Sequence, residues 1–244
     1  EITYGDWSSD VCSSDLADIG AVIPNLATGY LGDDQSGFRR AAHAYPQGGE
    51  GGLTSTVEDL LTWSRHFDDP TLGKHIPTQL AAVAPLTGGH VNHYRRGVTT
   101  GALRGLDTIG HGGLWPGFRT ELLRLPKVGL TVVVIANLAS INPWRLAHAI
   151  AANALEGDKR IKAAPAPVTQ AEVKPIAGTW FNAEEPALFQ LAWANNEPTV
   201  TQNGMPIALA RGDNGWFAAE ADSLEFALKG DKSGLKVDLG ASRT

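Results

Sequence analysis

Ile109-Gly110-His111-Gly112-Gly113-Leu114-Trp115-Pro116-Gly117-Phe118 sets a single histidine among glycines at the head of two strand-like runs, and its flanks decide the fold. Leu103-Arg104-Gly105-Leu106-Asp107-Thr108-Ile109 leads in. Phe118-Arg119-Thr120-Glu121-Leu122-Leu123-Arg124-Leu125 alternates polar and apolar residues, and Leu130-Thr131-Val132-Val133-Val134-Ile135-Ala136 is a β-branched run. Pro126-Lys127-Val128-Gly129 between them carries turn chemistry, so the segments read as an antiparallel meander. Asn137 to Asn142 is a polar break. From Pro143 through Leu155 the spacing is helical, with proline at an early position and Gly157 just past the end, which predicts a helix packed back on the sheet.

Two stretches upstream extend this unit. Gly48-Gly49-Glu50-Gly51-Gly52-Leu53-Thr54-Ser55-Thr56-Val57-Glu58-Asp59-Leu60-Leu61-Thr62-Trp63 joins a glycine-rich loop, free to come close to a site, to a helix start. Ser55 with Glu58 reads as a capping box, and Leu60, Leu61 and Trp63 begin a buried face. Ahead of it lies Ile23-Pro24-Asn25-Leu26-Ala27-Thr28-Gly29-Tyr30. In this order the three stretches resemble the C-terminal part of the penicillin-recognising serine hydrolases, the family of class C β-lactamases, DD-peptidases, family VIII esterases and D-aminopeptidases. The glycine-rich stretch is similar to that family's Gly-Gly-Leu-x-Ser-Thr-x-x-Asp-Leu segment, and Pro24 to Tyr30 to its Pro-x-x-Ala-x-Gly-Tyr strand. His111-Gly112-Gly113 matches the H-x-G tripeptide that replaces K-[ST]-G on the edge strand of the site. The resemblance runs from about Ala17 to Leu155, and the order of the three matches is more specific than any one of them.

The resemblance implies an α/β (α+β) fold: part of a β-lactamase/transpeptidase-like domain, with an antiparallel sheet and flanking helices. It also implies a serine hydrolase that acts through an acyl-enzyme on amide or ester bonds of small peptide, amide or ester substrates. The oxyanion of such an enzyme is held by two backbone N–H groups, and by family position the second is that of Leu114. His111, Gly113 and Leu114 are therefore the candidate catalytic residues. Gly112 and Trp115 are candidate substrate contacts, the glycines leaving room along the strand and Trp115 walling the pocket. His111 stands where most β-lactamases have lysine and carries a weaker fixed positive charge, which favours an ester or an amino-terminal peptide. The reading is D-aminopeptidase-like first, with an esterase or β-lactamase of the same family as the alternative. A non-catalytic binding module lacking the nucleophile, or a structural fragment without activity, are the readings from other classes.

The family's S-x-x-K and Y-x-N do not occur in matching context. Ser55 is followed three positions later by Glu58, Ser64 by Phe67, and Tyr94-Arg95-Arg96 is not Y-x-N. The chain is therefore expected to be a fragment whose nucleophile precedes it, inactive and aggregation-prone by itself. Asp6-Trp7-Ser8-Ser9-Asp10-Val11-Cys12-Ser13-Ser14-Asp15-Leu16 matches, residue for residue, one reading frame of a common sequencing adapter. Residues 1–16 are accordingly read as a non-native, adapter-derived start and set aside from fold reasoning.

With residues 1–16 removed, the net charge of −6 falls to −2, which gives no sign of nucleic-acid binding. Cys12, the only cysteine, leaves with that segment, so the body has no disulfide, no cysteine-ligated metal and no thiol nucleophile. No apolar run approaches a membrane span. No cofactor is expected, and compartment and oligomeric state stay open. His43, His66, His75, His90, His93 and His148 lack metal-ligand spacing. Asp68-Asp69 and Glu184-Glu185 precede prolines and read as solvated turns. Glu50 and Arg119 are polar residues within reach of a substrate near the signature, with ordinary structural roles at least as well supported.

The expected organisation is residues 17–157 as the hydrolase part, 158–174 as an Ala/Pro linker, and 175–244 as an antiparallel, lipocalin-like β-barrel whose completeness is left open. Beyond Ile176-Ala177-Gly178-Thr179-Trp180-Phe181, short strand-like runs at residues 188–193, 199–201, 206–209, 216–218 and 223–228 alternate with Asn-Gly, Asp-Asn-Gly and Gly-Asp-Lys turns. The opening Gly-x-Trp is similar to barrels appended to the D-aminopeptidase branch. Trp180, Trp193 and Trp216 are expected in the barrel core.

Overall fold

The meander expected around His111 is present and gains a strand. The computed structural model describes residues 14–15, 25–42, 53–69, 73–83, 94–164, 166–182, 187–202, 205–212, 215–219, 225–231 and 234–239. In chain order the elements are β1 (Ser14–Asp15), β2 (Tyr30–Asp33), β3 (Gly37–Arg40), β4 (Leu53–Thr54), α1 (Val57–Arg65), α2 (Ile76–Leu80), β5 (Thr99–Leu103), β6 (Leu106–Trp115), β7 (Phe118–Leu125), β8 (Leu130–Ala136), α3 (Pro143–Ala154) and α4 (Gln170–Val173). There follow β9 (Gly178–Asn182), β10 (Ala187–Ala194), β11 (Glu197–Gln202), β12 (Met205–Gly212), β13 (Gly215–Ala219), β14 (Glu225–Asp231) and β15 (Gly234–Leu239).

Strands β5 to β8 form an antiparallel sheet in sequence order. Alternation decides what each face does. Leu106 of β6, Leu123 and Leu125 of β7 and Val132 and Val134 of β8 are buried on one face, against Ala147, Ala151 and Leu155 of α3. The two alanines let the helix approach closely, and each buried aliphatic side chain contributes about 1.5–3 kcal/mol. Helix α3 begins as its sequence requires: Asn142 caps it by accepting from the Arg145 N–H at 2.9 Å, with proline in the first turn.

The other face carries α1. Ser64 is buried there and its hydroxyl donates to Thr131 Oγ1 at 3.3 Å. Arg124 of β7, its side chain only 4% exposed, donates to Asp68 Oδ2 at 2.6 Å and lies 4.9 Å from the Phe67 ring centroid. Asp68 is therefore more than the solvated turn residue the sequence suggested: its carboxylate is exposed, yet it is the counter-charge of a buried cation. The cap of α1 also differs from expectation. Thr56, one residue later than Ser55, accepts from the Asp59 N–H at 3.1 Å, because the chain stays extended through Thr56 and turns helical only at Val57. Leu60, Leu61 and Trp63 are half-buried.

The second family-like stretch docks against the end of this sheet. Tyr30 N–H donates to Asn137 O at 3.0 Å, Ala139 N–H donates to Tyr30 O at 2.9 Å, and Asn137 Nδ2 donates to Thr28 O at 2.9 Å. Gly29 lies under the Phe118 ring, where a Cβ would come within 2.7 Å of it. Gly117, at φ +82°, is pressed against Gly29 and Ala41, so the Pro116-Gly117 turn and the Thr28–Tyr30 segment need each other's small residues.

Residues 158–162 of the expected linker run along the sheet. Lys162 N–H donates to Arg104 O at 2.9 Å, and Ile161 packs on the α3 core. Helix α4 opens with a capping box between Thr169 and Glu172. Its Val173 is buried, as are Ile176, Phe189, Leu191 and Val200. Strands β9 to β15 pair only with their sequence neighbours, the order of an up-and-down meander. Among the described residues, β9 and β15 stay at opposite ends of this sheet without pairing, so it is an open seven-stranded sheet rather than a closed barrel. Asn195 and Asn196, at φ 52° and 62°, make the β10–β11 hairpin turn. Trp180 is half-buried, with its Nε1 donating to Ile176 O at 3.0 Å, and Trp193 is half-buried. The Trp216 side chain lies outside the described residues.

Candidate active site

Strand β6 is twice as long as the partner on its outer side. Its pairing with β5 ends at Thr99↔Gly110, whereas its pairing with β7 runs on to Trp115↔Phe118. From His111 to Leu114, β6 thus runs beyond its pairing with β5 among the described residues. Which backbone groups it offers follows from one contact. Thr99 Oγ1 donates to Gly110 O at 3.0 Å, so the peptide groups of Gly110 face β5. The register is unbroken, and the period of two puts those of Gly112 and Leu114 on the same side.

Each signature residue has a definite local role. The glycine at 113 is demanded by β7: a Cβ there would collide with Thr120 Oγ1 across the pair. Gly112 lies opposite Glu121, which is buried on the core side. Leu114 is 51% exposed and Trp115 is half-buried. Arg119 is spent on the turn, its Nη1 donating to Phe118 O at 2.7 Å and Trp115 O at 3.2 Å, which leaves the hairpin tip rigid.

His111 is exposed on the face opposite α3. Its Nε2 lies 3.1 Å from Tyr94 Oη and its Nδ1 2.5 Å from Gly112 O. The two rings meet edge to face at 5.6 Å. Tyr94 is the residue that sequence reasoning passed over, set aside because it does not begin Y-x-N. The usable signal was Gly97: at φ +81° it folds residues 94–99 into a tight turn, closed by Arg95 N–H to Val98 O at 2.8 Å and a Tyr94↔Thr99 bridge.

The other polar candidates lie elsewhere. His66 sits edge-on to Trp63, and His148 stacks on Trp144 at 3.7 Å. Burial pushes the His148 imidazole down to about 4, against a smaller upward effect of its bond to Trp144 O. Glu50, His43, His90, His93, Glu184 and Glu185 lie outside the described residues. Among the described residues, no three His, Cys, Asp or Glu side chains gather to hold a metal ion. One S-x-x-K string does occur, at Ser233-Gly234-Leu235-Lys236. Ser233 is outside the described residues, and so is the Lys236 side chain.

The chain is 28% identical over 131 residues to a D-aminopeptidase of Gluconobacter oxydans (strain 621H), covering 53% of this chain and 25% of that protein. It is 26% identical over 191 residues to a D-aminopeptidase of Cereibacter sphaeroides (strain ATCC 17029 / ATH 2.4.9), covering 75% of this chain and 37% of the relative. It thus spans about a quarter to a third of the curated relatives it matches. Among solved structures, the octameric penicillin-binding protein homologue from Pyrococcus abyssi aligns with a TM-score of 0.49 at 15% identity, over 88% of this chain and 52% of that one. The beta-lactamase family model matches residues 21–156, more than half of the 244 residues and all of the sheet that carries His111, and the chain belongs to that family.

Proposed function

We propose that this chain supplies the edge-strand wall of a serine hydrolase active site, in a protein that cleaves small amide or ester substrates and is D-aminopeptidase-like in preference. The observation that carries the reading is the stretch of β6 from His111 to Leu114 that runs beyond its pairing with β5. A substrate laid along that stretch meets the N–H of Leu114, which donates to the oxyanion as the attacked carbonyl becomes tetrahedral. The second donor is the nucleophile's own N–H. The serine Oγ bonds to the carbonyl carbon, the amine or alcohol leaves with a proton, and water then cleaves the acyl ester. Gly113 lets β6 lie against Thr120 at the level of the reaction, Gly112 keeps the edge low, and Trp115 bounds the cleft at the hairpin tip. His111 offers an imidazole where a fixed cation would draw a carboxylate, which suits a neutral ester or an amino-terminal residue. The family's S-x-x-K does not occur in matching context in this sequence, so nucleophile and base are assigned to residues outside it.

The test is Leu114→Pro in the protein at its natural length. Proline deletes one N–H, and beyond the pairing with β5 no ladder bond to that strand is lost. Hydrolysis of D-alanyl p-nitroanilide and of the matching p-nitrophenyl ester is measured beside thermal unfolding. The expected result is a kcat lower by about 10²–10³ with a normal melting curve. An unchanged kcat would remove the Leu114 N–H from the chemistry, and absence of hydrolysis in the parent would favour a binding module instead. The amide-to-ester ratio separates an aminopeptidase from an esterase.

A further inference from the structure

The pairing of His111 with Tyr94 leaves the imidazole little freedom. Gly112 O is a carbonyl and only accepts, so the ring nitrogen 2.5 Å from it, Nδ1, carries the proton. In the neutral ring Nε2 is then an acceptor, and the hydroxyl 3.1 Å away must donate to it. A solvated imidazole is free to hold its proton on either nitrogen; here both are engaged, and the edge-to-face phenol at 5.6 Å restricts rotation. We propose that Tyr94 is a positioning residue whose hydroxyl, donating to Nε2, holds the His111 ring in the orientation in which its Nδ1–H meets Gly112 O, and so maintains the Nδ1–H tautomer. This rests on the reading of His111 as a residue of the active site.

The arrangement has a chemical consequence. A phenol both donates and accepts, so if His111 takes a second proton, Nε2–H donates to Tyr94 Oη and the geometry survives. Tyr94 therefore lets the ring change charge without moving. The turn closed by Gly97 carries the phenol across the end of β5, where that strand stops pairing with β6, so the same truncation that ends the pairing makes room for the tyrosine.

The experiment uses the protein at natural length, labelled with 15N-histidine, at a pH where the ring is neutral; His111→Gln identifies the resonances. The expected wild-type spectrum has Nδ1 in the protonated and Nε2 in the unprotonated range. In Tyr94→Phe, which keeps the ring contact and removes only the hydroxyl, the pattern moves to Nε2–H or to an average of the two. A wild-type Nε2–H spectrum overturns the proposal, and so does an unchanged pattern in the variant. The wild-type spectrum decides even if the variant does not fold. Kinetics separate this from the reading beneath it. If His111→Gln abolishes hydrolysis while Tyr94→Phe leaves the tautomer intact, the positioning role fails alone. If Tyr94→Phe shifts the tautomer and His111→Gln leaves kcat untouched, the pair stands and the active-site reading falls. With both correct, Tyr94→Phe lowers kcat about fivefold, the size of one neutral hydrogen bond, with KM little changed.

Discussion

Two of the described histidines, His148 and His111, differ in burial: the first is half-buried and the second is exposed. His148 lies in α3 one turn after Trp144, its ring stacked at 3.7 Å and its Nδ1–H donating to Trp144 O at 2.9 Å. The helix buries it neutral and holds its proton affinity at about 4, below the ordinary 6.5, with burial the main cause. The unfolded chain takes up a proton as pH falls through 6.5 while the folded chain refuses it until about 4, so unfolding binds a proton in that window and stability rises with pH. The cost at the bottom of the window is about 2–3 kcal/mol. Melting temperature measured from pH 7.5 to 4.5 should therefore fall more steeply for the wild type than for His148→Gln, and parallel curves would show that the ring is solvated. Nothing in the sequence singled out this histidine, because a Trp-x-x-x-His spacing is ordinary on a helix. What matters is how far the fold covers the ring, which the spacing does not contain. His111 was legible for the opposite reason: its glycine neighbours are a local signature. Its partner was not, since Tyr94 and His111 are brought together by the β5–β6 register across a separation that no local pattern encodes.

Among the elements, those fixed by local rules matched their sequence and those fixed by distant contacts did not. The turn at residues 126–129, the start of α3 at Asn142-Pro143 and the alternation along β7 and β8 depend on neighbours a few positions away, and all were read correctly. Strand β5 is absent from the sequence reading, whose lead-in begins only at Leu103, because Thr99-Thr100-Gly101-Ala102-Leu103 has little apolar patterning and is a strand through pairing with β6. The cap of α1 fell one residue from where it was expected. Ser55-x-x-Glu58 and Thr56-x-x-Asp59 are both plausible caps, and the choice is made by where the chain stops being extended: Thr56 at φ −110°, ψ 167°. Thr56→Ala should cost about 1 kcal/mol, the loss of one capped N–H at the N-terminus of the helix that leads into Phe67 and Asp68, the partners of Arg124, whereas Ser55→Ala should cost a few tenths. Urea denaturation of the two variants ranks them, and the reverse order would restore the Ser55 cap.

At the scale of the whole molecule, the question is what the exposed edges do. The two larger described sheets end in four strand edges, on β5, β8, β9 and β15. Strand β8 is the most hazardous of these, a β-branched run with a turn at one end and Ile135 38% exposed on its surface. Leu146 and Ile150 stand 44% and 43% exposed one helical turn apart on α3, and Leu114 is 51% exposed on the stretch of β6 beyond its pairing with β5. Such groups are covered in a stable monomer or become contacts between copies. The relatives that share this sequence are about twice as long, and more chain is available in them to cover these surfaces. Expressed as these 244 residues alone, the protein should elute as oligomer or aggregate and hydrolyse neither substrate. Ile135→Lys should shift it toward monomer, because a lysine on an edge strand resists pairing with a second copy. Size-exclusion chromatography with light scattering reads the shift, and a wild-type monomer that melts in one sharp cooperative transition would show that the exposed edges are tolerated. That outcome would also bear on the stretch of β6 beyond its pairing with β5, since an edge that stays unpaired in a stable monomer is accessible to a substrate.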